Sequence, residues 1–173
     1  TPYIIKEIAG MKVGIFGLAT PETTYKTHPD NVKGLAFTDP VKAAAEMTAL
    51  LQEQTDIIIC LAHLGMDAAS TVTSVKIAEE VEGIDLIIDG HSHTVLEQGH
   101  AVGDTLIVST GEYDKNLGIV QLTVTEGQVT DKKASLISKD EAAEVVPDEA
   151  IVKTIETIEA EQAVLLSEVI GKT

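Results

Sequence analysis

Three short apolar runs mark the first two-thirds of the chain, and each stops abruptly at a polar or glycine-bearing segment. Asp56 to Leu61 runs into His63-Leu64-Gly65, Ile84 to Ile88 into Asp89-Gly90-His91, and Thr105 to Ser109 into Gly111. Runs of this kind predict strands covered on both faces, as in parallel sheets. The segments between the runs carry apolar residues at helical spacing. Asp39-Pro40 offers an N-cap followed by proline at the first helical position, and Val41, Ala44, Ala45, Thr48 and Leu51 mark the buried face of the helix it opens. A second helix is predicted over Ala68 to Glu82, with Val72, Val75, Ala78 and Val81 inward. The alternation strand, helix, strand, helix, strand predicts a layered α/β unit.

The flanks follow other periods. Tyr3 to Glu7 and Met11 to Leu18 predict a hairpin turning at Ala9-Gly10. Thr20 to Asp39 is polar and contains proline, and predicts a loop. Leu117 to Thr125 and Gln128 to Ser138 predict a second hairpin about Glu126-Gly127. Pro147-Asp148 opens a long amphipathic helix with Ile151, Ile155, Ile158, Leu165 and Val169 on one side and Gly171 as C-cap.

Composition narrows the function. At 173 residues and 44% hydrophobic, the chain suits one domain with a true core. With aromatics at 3%, that core rests on Ile, Val, Leu and Ala. The net charge of −16 argues against nucleic-acid polymers and anionic membranes as partners. A small anionic substrate remains compatible if metal ions supply local positive charge. The lone cysteine, Cys60, lies in an apolar run and reads as a buried, inert thiol. No apolar stretch reaches the roughly 18 residues of a membrane span, and no signal peptide is visible. Thr1-Pro2 at one end and Gly171-Lys172-Thr173 at the other read as cut ends of a longer protein.

The histidines carry the candidate chemistry. His63 follows one predicted strand, and His91 and His93 follow the next, in Asp89-Gly90-His91-Ser92-His93-Thr94. Ligands of open α/β sheets bind beyond the carboxyl ends of the strands. Neutral imidazoles there suit zinc, manganese, iron or nickel. Any one of these histidines alone reads as an ordinary loop residue. Two neighbouring strands ending in histidine, one of them in His-x-His, predict a metal site. Asp67 and Asp89 are close enough in sequence to bind metal or to orient an imidazole. His28 and His100 read as solvated loop or turn residues, and Lys132-Lys133 and Glu79-Glu80 as charged faces. A nucleophile elbow and a phosphate-binding loop are both missing, and Gly14-Ile15-Phe16-Gly17 is too short for a dinucleotide fingerprint.

Several segments together resemble the bacterial 5′-nucleotidase and 2′,3′-cyclic phosphodiesterase family. They are Tyr3-Ile4-Ile5-Lys6, Lys12 to Leu18, Thr20-Pro21-Glu22-Thr23, Leu61-Ala62-His63-Leu64-Gly65, Asp89-Gly90-His91-Ser92-His93, and Gly111-Glu112-Tyr113 with Leu117-Gly118. The resemblance runs over nearly the whole chain, in the family's order. It implies a calcineurin-like metallophosphoesterase domain: an α/β fold built as a four-layer β-sandwich flanked by helices. Of that domain it implies only the second half, over residues 1–146. Residues 147–173 would then be a linker helix leading to a substrate-specificity domain.

It further implies two divalent ions in the intact protein (zinc, manganese, iron, cobalt or calcium), with His63 and His91 on one and His93 on the other. No residue of this chain is implied to transfer protons. The activity implied is hydrolysis of nucleotide esters, monoester or cyclic diester, by water that the ions activate. The implied location is extracellular, periplasmic or at the cell wall. The family's own Asp-x-His motif and its bridging Asp normally precede the point where this chain starts, since the Asp-x-His found here, Asp89-Gly90-His91, belongs to the Gly-His-Ser-His element, and no Asn-His pair occurs in this sequence. The isolated chain is therefore expected to bind metal weakly, to hydrolyse little, and to self-associate through an uncovered apolar face. Two other readings remain open: a binding or scaffold module that keeps the fold without metal, and a related metallophosphoesterase acting on a non-nucleotide substrate.

Overall fold

The computed structural model describes residues 1–168 and Gly171. It divides into two compact units, Thr1–Lys139 and Asp140–Thr173.

The first unit is built on a six-stranded sheet. Strands β1 (Tyr3–Ile8) and β2 (Met11–Ala19) form the expected hairpin. Ala9 and Gly10 both take positive φ, 51° and 81°, the backbone that a tight two-residue hairpin turn requires. Within the segment expected to be loop lie a short helix α1 (Thr23–Lys26) and a 3-10 turn over Pro29–Val32. Helix α2 (Pro40–Gln52) begins where the sequence predicts, with the Asp39 carboxylate accepting from the backbone N–H groups of Val41 and Lys42. Its buried face is Pro40, Ala44, Thr48 and Leu51, whereas Ala45 is exposed. Met47 and Ala43 pack against the core in its place.

Strand β3 (Ile57–His63) pairs parallel with β2 and with β4 (Leu86–Asp89), so His63 is the last residue of its strand rather than the first beyond it. Between them, helix α3 spans only Ser74–Glu80, shorter than the periodicity predicts. The hydroxyl of Thr73 caps it by accepting from Lys76 N–H, and the backbone N–H of Thr71 is bonded to the Glu22 carboxylate, which holds the preceding residues out of the helix. Strand β5 (His100–Val102), which the sequence does not predict, is an antiparallel edge beside β6 (Thr105–Val108). The sheet order is β1-β2-β3-β4-β6-β5, with β2, β3, β4 and β6 mutually parallel.

Side chains alternate across the sheet. One face presents Phe16, Leu18, Ile58, Cys60, Ile87 and Ile107 to Ala44 and Leu51 of α2 and Ile77 of α3. On the other face Leu86, Leu106 and Val108 pack under Val120 and Ala134 of a separate hairpin, β7 (Asn116–Thr125) with β8 (Gln128–Ser138). The hairpin covers only part of that face. Leu61 and Ile88, register partners in β3 and β4, stay 49% and 41% exposed. The expectation of complete burial on both faces fails here because nothing in this unit lies over that strip. Helices, a sheet and a smaller second sheet are layers of the predicted sandwich.

Lys132 is not part of a charged face. From β8 its ammonium donates to the Asp85 carboxylate at 3.1 Å, and to the backbone carbonyls of Asp85 and Asp104.

In the second unit, α4 (Glu149–Leu166) starts under an Asp148 cap that accepts from Ala150 and Ile151 N–H. Ile151, Ile155 and Ile158 form the predicted stripe and are exposed. The helix ends at Leu166, before Gly171. The side chain of Leu165 and all of Val169 lie outside the described residues. No helix among the described residues is long and apolar enough to cross a membrane.

Candidate metal centre

Three adjacent parallel strands end side by side and deliver three polar side chains to one place. Ala19 at the end of β2 is in register with His63 at the end of β3, and Ala62 with Asp89 at the end of β4. The chain beyond β2 turns through Thr20-Pro21 into Glu22, and beyond β4 through Gly90 into His91. Two backbone bonds fasten these exits, Thr20 N–H to His63 C=O at 2.9 Å and Gly90 N–H to Ala62 C=O at 3.1 Å.

Asp89 is engaged with the backbone. It is buried, and its Oδ1 accepts from the backbone N–H groups of Leu64 at 3.0 Å and Gly65 at 3.2 Å. It thus pins the loop after β3 to the end of β4. Asp67, the other acidic candidate, is exposed. Gly65 has φ 79°, and a Cβ there would stand 3.0 Å from Cβ of Ser92. Ser92 in turn accepts from Met66 N–H at 3.0 Å. The loops carrying His63 and His91 therefore interlock.

The two imidazoles meet. Nε2 of His63 lies 3.3 Å from Nδ1 of His91, with ring centroids 4.9 Å apart and the planes at 63°. Two nitrogens bound to one tetrahedral zinc at 2.0–2.1 Å would be about 3.3–3.4 Å apart. The pair fits two positions of one small divalent ion. Without an ion, the same contact serves as a hydrogen bond.

His93 stands apart from this pair. Its Nδ1 is 2.8 Å from Oε2 of Glu112, and its ring leans towards Tyr113. Lys115 also donates to Glu112, at 2.9 Å. That bond, ahead of the His93 contribution, holds the Glu112 carboxyl below its ordinary range. His91 and His93 both take positive φ, 87° and 54°, as do Tyr113 and Asp114 at 55° and 51°. Strained backbone of this kind gathers at functional loops. Among the described residues, no three His, Cys, Asp or Glu side chains are grouped to hold a metal ion.

The residue that the sequence reading missed is Glu22. Its side chain is 2% exposed. Oε1 accepts from the backbone N–H of Thr71 at 2.9 Å, and Oε2 lies 2.6 Å from Lys26 Nζ and 3.1 Å from His91 Nε2. The Lys26 ammonium first, then Thr71 N–H and His91, push its carboxyl down to about 2. Glu22 comes to the site because it follows β2, which the structure pairs with the strand ending in His63. His28 is exposed and accepts from Asp30 N–H, and His100 is exposed on the edge strand β5 rather than in a turn. Cys60 is fully buried, and desolvation together with the nearby Asp89 raises its thiol to about 12.

No protein-family model matches the chain. Individual relatives do. The trifunctional nucleotide phosphoesterase YfkN of Bacillus subtilis is 34% identical over 155 residues, which cover 85% of this chain and 10% of that protein. The uncharacterised metallophosphoesterase YunD of the same organism is 33% identical over 138 residues, covering 78% of this chain and 28% of its own length. The 5′-nucleotidase of Diplobatis ommata is 26% identical over 191 residues, covering 99% of this chain and 32% of that enzyme.

The chain belongs to the 5′-nucleotidase family.

It spans less than a third of the length of YfkN and YunD. Among solved structures, sulfate thiohydrolase SoxB of Thermus thermophilus superposes on this 5′-nucleotidase family member with a TM-score of 0.79 at 22% identity, over 93% of this chain and 29% of SoxB. That likeness concerns the fold, and it agrees with the α/β architecture predicted from the apolar runs.

Proposed function

We propose that this chain forms part of a metal-dependent phosphoric ester hydrolase acting on nucleotides. The observation that carries the proposal is the 3.3 Å approach of His63 Nε2 to His91 Nδ1 at the ends of adjacent parallel strands. The kinship with a nucleotide phosphoesterase and a metallophosphoesterase supports it. His63 and His91 would hold one divalent ion, and His93, steadied by Glu112, would contribute to a second. When bound, such ions neutralise phosphate charge and activate water for in-line displacement. The residues of this chain grip and orient: Asp89 and Gly65 keep the His63 loop against the His91 loop, and Glu22 backs the His91 ring.

Two imidazoles fall short of the four ligands that zinc usually takes. The 173-residue chain alone is therefore proposed to bind ions weakly and to hydrolyse little, with the other ligands supplied by a longer protein. We also propose that the isolated chain self-associates through the strip around Leu61 and Ile88.

The test is phosphate release from a nucleoside 5′-monophosphate and from a 2′,3′-cyclic nucleotide, with manganese or zinc added back after chelation. It is run on the longer protein and on this chain. Ion-dependent turnover by the longer protein, reduced at least a hundredfold by His63→Ala or His91→Ala, is expected. Turnover indifferent to chelation, or untouched by both substitutions, would overturn the proposal.

A further inference from the structure

We propose that Glu22 is the positioning residue of the metal centre: it locks His91 in the tautomer that presents Nδ1 to the ion. This rests on the reading of His63 and His91 as ligands of one ion.

The other neighbours of the Glu22 carboxylate are the Lys26 ammonium, the Thr71 backbone N–H and, at 3.4 Å, the Thr71 hydroxyl. The first two can only donate. An ionised carboxylate can only accept, so the ring nitrogen 3.1 Å from Oε2 must carry a proton. A neutral imidazole has one N–H. With it on Nε2, Nδ1 of His91 is a lone pair, and that lone pair faces Nε2 of His63. A carboxylate behind a ligating histidine is a recurrent device for fixing ring orientation and raising ligand basicity.

Glu22 suits this role. It is buried, it is anchored by three groups besides His91, and it sits on the exit of a strand two places from the one that carries His91.

The lock makes the two histidines unequal. Without an ion, His91 Nδ1 accepts, so His63 must donate from Nε2. Binding an ion between them requires a lone pair on His63 Nε2, which moves the His63 proton to Nδ1. His91 needs no change. Ion capture therefore rearranges one ring and leaves its neighbour as it was.

The experiment is long-range proton–nitrogen correlation on the chain labelled with 15N-histidine, with and without zinc chloride, in the native sequence, Glu22→Gln and Glu22→Asp. The amide introduced by Glu22→Gln can donate as readily as accept, and Glu22→Asp retracts the carboxylate by one methylene while keeping its charge. The expected native result is His91 with its proton on Nε2, unchanged by zinc, while zinc moves the His63 proton to Nδ1. In both variants His91 is expected to populate the Nδ1–H form, with zinc affinity about 10–100-fold lower. Amide spectra report whether each variant stays folded, and either folded variant suffices. A native His91 protonated on Nδ1, or a folded variant with the native tautomer, would overturn the positioning role and leave the ion reading standing. Saturating zinc that shifts neither ring would overturn the ion reading and, with it, the positioning role at a metal centre.

Discussion

Lys132 reaches from β8 to Asp85, the residue just before the neighbouring sheet's β4, with Nζ 3.1 Å from Oδ1. The same carboxylate accepts from Ile58 N–H through its other oxygen, at 2.9 Å. One side chain thus binds a hairpin to a sheet with which it shares no strand pairing. Both partners are mostly buried, so removing the ammonium leaves a carboxylate and two carbonyls short of a donor. Lys132→Ala is expected to destabilise the chain by about 2–3 kcal/mol. Urea unfolding measures this, and a midpoint unchanged from native would contradict it.

Gly65→Ala tests the interlock of the two site loops. The residue has φ 79°, and an added Cβ would press on Ser92 at 3.0 Å and on the His91 ring at 3.3 Å. The backbone penalty alone is about 1 kcal/mol. The expected outcome is a loss of about 1–3 kcal/mol in thermal or urea unfolding, with the imidazole signals of His91 displaced. An undisturbed His91 signal would show that the loops do not interlock as described.

The Cys60 thiol gives an alkaline signature. Folded, it titrates at about 12 against an ordinary 9.0. Above pH 9 the unfolded chain loses this proton and the folded chain keeps it, so the folded state binds more protons and stability falls as pH rises. Below pH 9 the group contributes no pH dependence. The expected slope is at most about 1.4 kcal/mol per pH unit between 9 and 12. Comparing native with Cys60→Ala isolates it: the variant should lack that slope. The native thiol should also resist iodoacetamide at pH 8 and react on unfolding.

Leu61→Lys or Ile88→Lys changes the uncovered strip at little cost to the fold, because both side chains are already partly in water. Stability should move by no more than about 0.5–1 kcal/mol. Light scattering at high concentration should show association in the native chain and its weakening in either variant. A native chain that stays monomeric would dispose of the proposed self-association.

Much of the fold was readable because apolar runs and caps act locally. Asp39-Pro40 starts its helix wherever the rest of the chain goes, and Ile57 to Cys60 form a strand by composition alone. Readings failed where a distant partner decided the matter. Thr71 looks helical by spacing, but its N–H is claimed by Glu22, 49 residues away. Ala45 matches the period of the buried face and still faces water, because α2 packs through Ala44 and Leu51. The strip at Leu61 and Ile88 reads as doubly covered, since a sequence run cannot say what lies over it. At the site, the meeting of His63 and His91 followed from strand ends alone. The backing carboxylate did not, because nothing near residue 91 points to residue 22.

His63 and Leu61 project from the same side of β3, two residues apart. Whatever is laid over the bare strip therefore borders the imidazole pair. If that cover brings a ligand of its own, docking and ion uptake become reciprocal: an ion tightens the cover by the factor by which the cover tightens the ion. Chelation would then loosen the cover's hold on the strip.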